Sequence, residues 1–177
     1  MIQPVTAGEL RLEPQTAAHA DEMFAVLRDP AIYEYENEPP HSLDWLRERF
    51  TKLETRRSAD GREQWLNWVI RLPSGELAGY VQATVMPGGR AVIAYILHSR
   101  HWGRGIARRS VEAMLVELAA RHGVTSLQAV LKRDNARSLR LLERLGFSSA
   151  QNGDPACAGL EPGELLMRRV LAPGVSD

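Results

Sequence analysis

Residues 91–109 read AVIAYILHSRHWGRGIARR, an apolar run that gives way to two glycines and four arginines with no acid among them. A short apolar run bounded by turn residues suits a strand inside a sheet. Gly103 and Gly105 lack Cβ atoms, so the backbone there can take positive φ and come close to a ligand. A helix starts at Gly105, and the unpaired N–H groups of a helix start, with the positive end of its dipole, suit a phosphate. The stretch predicts a strand, an anion-binding loop and a helix in succession.

Downstream, Ala107, Val111, Met114, Leu115 and Leu118 share one face of that helix, and His122-Gly123 ends it. TSLQAVLK is the next strand, and Asp134 or Asn135 opens a second helix carrying Leu139, Leu142 and Leu145. GFSSA and ELLMRRVL supply two last strands. Upstream, LRLEP at 10–14 is a strand, and Thr16 caps a helix with Ala20, Met23, Phe24 and Leu27 at helical spacing, stopping before Pro30. Ser42 caps another, with Leu43, Leu46, Phe50 and Leu53 on one face. WLNWVIRL, LAGYVQATVM and RAVIAYILH, joined by the turns PSGE and PGG, form an antiparallel meander. The order predicts an α/β fold: a mixed, mostly antiparallel central sheet flanked by helices, in a single domain over 1–177.

Composition narrows the function. Apolar residues make up 44% and charged residues 25%, as in a soluble globular protein. No apolar run approaches the ~20 residues that span a bilayer, and the start MIQPVTAGELR lacks a basic-then-apolar signal pattern. A cytoplasmic protein without membrane contact is expected. Cys157 is the only cysteine, and the five histidines make no HxxxH or HxH pair, so no metal is expected. Net charge is zero, which disfavours nucleic acid as a partner. The charge is unevenly spread, however: residues 29–44 hold five acids and no Lys or Arg, whereas 100–109 hold the four arginines.

Trp102-Gly-Arg-Gly-Ile-Ala107, with Asn135-Ala-Arg-Ser138 and Leu142-Glu-Arg-Leu-Gly-Phe147 downstream, resembles the GNAT superfamily of N-acetyltransferases. The likeness is to its RimJ/RimL-type branch, which acetylates N-termini of ribosomal proteins. It is carried by about Ile93 to Phe147, the expected cofactor-binding core, and is topological before that. A rival register beginning at Arg100 fits the glycines too, but it starts the helix two residues early.

The resemblance implies acetyl-CoA as cosubstrate. Gly103, Arg104, Gly105, Ile106 and Ala107 would cradle its pyrophosphate, with Trp102 leading the loop. Ile96, Leu97 and His98 at the strand end, and Asn135 and Ser138 on the later helix, would line the rest of its path. The implied reaction is direct attack of a primary amine on the thioester, with the Leu97 backbone N–H steadying the oxyanion and Ser138 protonating the leaving thiolate. Asn135 as an ordinary helix cap and Ser138 as a solvated helix serine are the alternatives. Tyr33, Glu34, Tyr35 and Glu36, with Glu38, would gather a cationic acceptor.

The chain departs from the pattern in two places. Val92 stands where relatives often carry a Glu, so no side-chain base transfers, and Arg109 stands where an acid is common, leaving Arg108 and Arg109 without an inherited role. The acceptor is open: a protein or peptide N-terminus, an aminoglycoside, an amino acid or a polyamine each presents an amine, and monomer and homodimer are equally compatible. Two other readings stand beside the enzyme. A dinucleotide module is disfavoured because the third glycine it needs would fall on Arg108. An acetyl-CoA sensor that has lost catalysis is what Val92 would suggest.

Overall fold

The computed structural model describes residues 1–35, 37–151 and 153–171. Among these, eight strands make one sheet in the order β1-β2-β3-β4-β5-β6-β8-β7. The strands are β1 (Val5–Ala7), β2 (Leu10–Pro14), β3 (Gln64–Arg71), β4 (Leu77–Met86), β5 (Arg90–Leu97), β6 (Ser126–Lys132), β7 (Ser148–Ser149) and β8 (Glu164–Val170). Every pairing is antiparallel except β5 with β6. The expected mixed, mostly antiparallel sheet is therefore present, with β1 as an added hairpin partner of β2 that the sequence reading did not resolve.

The helices follow their caps. Ser42 Oγ accepts from Trp45 N–H and opens α2 (Leu43–Leu53), whose Leu46 and Phe50 are buried. Thr16 caps a 3₁₀ turn, Ala17–His19, and α1 (Ala20–Leu27) follows, a later helical start than expected. Helix α3 (Ile106–His122) runs from Gly105 to Gly123, both in the left-handed region, and buries Val111, Met114, Leu115 and Leu118. Helix α4 (Ala136–Arg144) starts at Asn135.

Two apolar clusters sandwich the sheet. Helices α1 and α2 cover Val69 and Leu77 with Met23, Leu27, Leu46 and Phe50. The larger cluster joins α3 to Leu142 and Leu145 at the end of α4, and to Leu12, Trp68, Val81 and Ile93 from the strands.

The sheet does not stay closed. The β5–β6 ladder holds only Arg90↔Ser126, Ala91↔Leu127 and Val92↔Gln128. Past Val92, β5 continues to Leu97 on β4 alone, and β6 continues to Lys132 on β8 alone. Each strand keeps its antiparallel partner, and the parallel pairing between them gives way. A Cβ on Gly79 would stand 2.0 Å from the Ile96 carbonyl oxygen, so glycine is what lets β4 close on this end of β5. The result is a V-shaped opening with Leu97 on one arm, facing α3 and α4.

Candidate functional site

The loop beyond β5 is built as a set of donors. After a 3₁₀ turn at Ser99–His101, Gly103 and Gly105 take φ of 75° and 72°. A side chain at either glycine would meet nothing within 4 Å, so the space above the loop is open. The N–H groups of Gly103 through Ala107 have no acceptor among the described residues. Unpaired amides converging at the start of a 17-residue helix are a ready anion site, and this donor set fits a pyrophosphate. Of the four arginines, Arg100 binds Glu76 at 3.0 Å and Arg108 binds Glu112 at 2.9 Å. Arg109 reaches back to the Gly8 turn of the β1–β2 hairpin. Arg104 is exposed and has no carboxylate partner among the described residues.

The strand end is prepared as well. His98 N–H donates to Ala78 O at 2.9 Å. Bonded and non-bonded pairs alternate along an antiparallel ladder, so Leu97, opposite Gly79, turns its N–H and C=O away from β4 and into the opening. Trp102 Nε1 donates to the Leu97 carbonyl at 2.9 Å. The Arg137 guanidinium from α4 lies 3.3 Å from the centre of the Trp102 ring, a cation–π contact that ties the loop to the far arm of the V. Behind the loop, Asp29 accepts from Ser99 N–H at 2.7 Å and stands 3.3 Å from His98 Nδ1. Burial alone would raise the Asp29 carboxyl, but the Ser99 and Ala31 hydrogen bonds and the nearby His98 hold it below its ordinary value.

On the far arm, Asn135 Oδ1 accepts from Ser138 N–H at 3.1 Å, which makes it the N-cap of α4. Ser138 is half-buried, and its Oγ is 2.6 Å from Tyr95 Oη. That hydrogen bond crosses from α4 to β5. The sequence reading gave Tyr95 no role in the site.

A cavity of about 240 Å³ opens on the α1–α2 side of the sheet, with Tyr33, Glu38, Trp45, Arg49, Tyr80 and Ile96 in its wall. A second, of about 270 Å³, continues along β4 between Lys52, Trp65, Asn67 and Thr84. Arg49, Leu53 and Gln82 border both. Tyr33 donates to Leu27 O at 2.6 Å. Burial, with a smaller contribution from Asp29, pushes its phenol up to about 12, and burial with the nearby Tyr33 does the same to Tyr80. Both hydroxyls therefore stay protonated at neutral pH, and that of Tyr33 donates to the Leu27 carbonyl.

Of the residues expected to gather the acceptor, Tyr33 and Glu38 line this cavity, and Glu34 and Tyr35 do not. Glu36 lies outside the described residues. Val92 pairs with Thr84 across the ladder, so its side chain is on the cavity face of β5, four residues from Ile96. The sequence reading also missed Gln15, Asn67, Tyr80 and Gln82. One signal was available for the last two: in YVQAT, polar residues recur at every second position of a strand that is otherwise buried.

Residues 9–148 match the family described as the acetyltransferase (GNAT) domain. No curated protein matches the chain. Among solved structures, the RimL ribosomal L7/L12 alpha-N-protein acetyltransferase in complex with coenzyme A superposes with a TM-score of 0.80 at 18% identity, over 96% of this chain and 98% of that one. RimJ from Mycobacterium smegmatis, in complex with a CoA-disulfide, gives 0.77 at 23%, over 96% and 86%. A GnaT-family acetyltransferase from Bordetella pertussis, described as putative, gives 0.74 at 26%, over 95% and 99%. No helix among the described residues is long and apolar enough to cross a membrane.

Proposed function

Because the chain belongs to the acetyltransferase (GNAT) domain family and is an acetyl-CoA-dependent acetyltransferase, we propose that its acceptor is the free N-terminal amine of a protein or peptide. The single observation that carries this reading is the opening past Val92. It sets the Leu97 N–H between an anion-binding loop on one side and an elongated cavity on the other. RimL, an alpha-N-protein acetyltransferase that shares the fold, supports a peptide amine over a small-molecule one.

In this reading the pyrophosphate of acetyl-CoA rests on the amides of Gly103, Gly105, Ile106 and Ala107, and Arg104 adds an unpaired charge. The thioester lies in the opening beside Ile96, Leu97 and His98. The amine comes from the cavity face as the neutral base and attacks the carbonyl carbon, forming the C–N bond. The Leu97 N–H donates to the oxygen that becomes negative, an effect worth about 3 kcal/mol when well placed. The C–S bond breaks as the oxyanion collapses. Ser138 passes a proton to the thiolate, and Tyr95, 2.6 Å behind it, restores that proton and recovers its own from solvent. The pairing answers a chemical difficulty, since an alcohol is a poor acid and a phenol is a far better one. The nitrogen's surplus proton leaves to water.

The test is an acceptor panel read by thiol release and by mass of the product. A peptide with a free N-terminus should gain one acetyl group on its α-amine, and the same peptide with a blocked N-terminus should not. Efficient acetylation of polyamines or aminoglycosides with peptides inert would overturn the peptide reading and leave the family assignment intact.

A further inference from the structure

We infer that the site selects a dipolar acceptor: an N-terminal amine followed, at the second or third residue, by an acidic side chain that Arg49 holds. The inference rests on the peptide reading above and goes further, to the sequence of the peptide.

The two cavities form one trough along β4. Tyr80, opposite Ile96, stands at the reacting end, Gln82 lies where the cavities meet, and Thr84 marks the outer end. Residues two apart on a strand are separated by about 7 Å, so the trough runs about 14 Å from Tyr80 to Thr84. That length takes an extended peptide of three or four residues. A free amino acid would fill only the reacting end.

Charge is ordered along it. The inner cavity has Glu38 in its wall, whereas the outer one has Lys52 and no carboxylate among its lining residues. Arg49 borders both. It has no ion-pair partner among the described residues, and its guanidinium lies 5.6 Å from the centre of the Trp45 ring. A positive group at the junction, about 7 Å beyond the attacking amine, is placed for a carboxylate one or two residues along the acceptor. The same charges repel a polyamine or an aminoglycoside at its far end.

The floor asks for oxygen too. Gln15 and Asn67 are buried, at 3% and 4% exposure. Each lines the trough, and Gln15 Nε2 and Asn67 Nδ2 have no hydrogen-bond partner among the described residues. Unpaired buried amide donors are costly unless a ligand completes them. The carbonyl oxygens of an extended peptide supply that complement at a spacing a compact amine cannot.

The experiment compares three tetrapeptides with free N-termini that differ only at positions two and three: Glu-Glu, Gln-Gln and Lys-Lys. Thiol release from acetyl-CoA is measured with the full chain. The Glu-Glu peptide should show a KM about five- to tenfold below that of Gln-Gln, and Lys-Lys should be poorest. Arg49→Gln should bring the Glu-Glu KM up to that of Gln-Gln, and Arg49→Glu should invert the order. Equal KM values for the three peptides, or a preference untouched by either variant, overturn the inference alone. Absence of turnover with all three while a small amine is acetylated overturns the peptide reading as well.

Discussion

Tyr95 Oη and Ser138 Oγ are 2.6 Å apart across the opening of the sheet, which joins a strand and a helix that share no ladder. If the pair relays a proton, Tyr95→Phe should lower kcat between ten- and a hundredfold, with little change in KM for acetyl-CoA. Ser138→Ala should cost at least as much, and the double variant no more than Ser138→Ala alone, because the two act in series. Additive losses would mean independent roles. A merely structural bond, worth about 1 kcal/mol, would lower Tm and leave the solvent isotope effect on kcat unchanged.

Gly105 has a φ of 72° and open space above it. A side chain there is opposed by the backbone, at about 1–2 kcal/mol for a left-handed residue, and its bulk would occupy the volume proposed for the pyrophosphate. Acetyl-CoA at ~100 times its Kd should stabilise the native chain by ~2.7 kcal/mol, seen as a rise in Tm. Gly105→Val should abolish that rise while the variant still melts cooperatively. A folded Gly105→Val chain that binds acetyl-CoA normally would remove the loop from the cofactor site, and NAD should give no comparable shift with the native chain.

Local periodicity made much of this legible beforehand. The caps at Ser42 and Asn135, the apolar face of α3 and the three-strand meander are contacts between residues close in sequence, which spacing reports directly. The glycine loop was legible because positive φ leaves a compositional mark. What escaped depends on register. Gln15 and Asn67 meet through a backbone bond across strands distant in sequence, and no spacing rule brings them to one cavity floor. Arg49 looked like an ordinary exposed residue of α2, and only the placement of that helix over β4 turns it toward the trough. The acidic segment was legible as charge but not as geometry: Asp29 is spent on the Ser99 turn and Asp44 on Arg47, so of its described acids only Glu38 meets the cavity.

His101 is buried at 3% exposure beneath the same loop, with Nδ1 unpartnered among the described residues. Burial, reinforced by the charge of Arg100, lowers its imidazole below the ordinary 6.5. The unfolded chain then binds the proton more readily than the folded one. The contribution to stability is complete above about 6.5 and is lost as pH falls from there toward the folded value. His122, also lowered by burial, acts with the same sign. Tm should fall between pH 7.5 and 5.5, and His101→Gln should flatten that slope even where it lowers Tm throughout. A slope unchanged in His101→Gln and in His122→Gln would assign the acid sensitivity to other groups.

The pH dependence of turnover should belong to the acceptor. The phenols of Tyr33 and Tyr80 are pushed up to about 12, so neither is a base near neutrality, and Val92 has no carboxyl to offer. With no base from these three residues, the expected route is attack by that fraction of the amine already neutral. For a peptide α-amine, ordinarily ~7.7–8.0, kcat/KM should rise tenfold per pH unit and level off near 8. For the residual turnover of an acceptor whose only amine is a lysine side chain, ordinarily ~10.4, the rise should continue to about 10. Measuring both acceptors over pH 6–10 separates acceptor titration from titration of the protein. Two curves breaking at one shared pH, below either amine, would reveal a protein base, and loss of that break in Glu38→Gln would locate it.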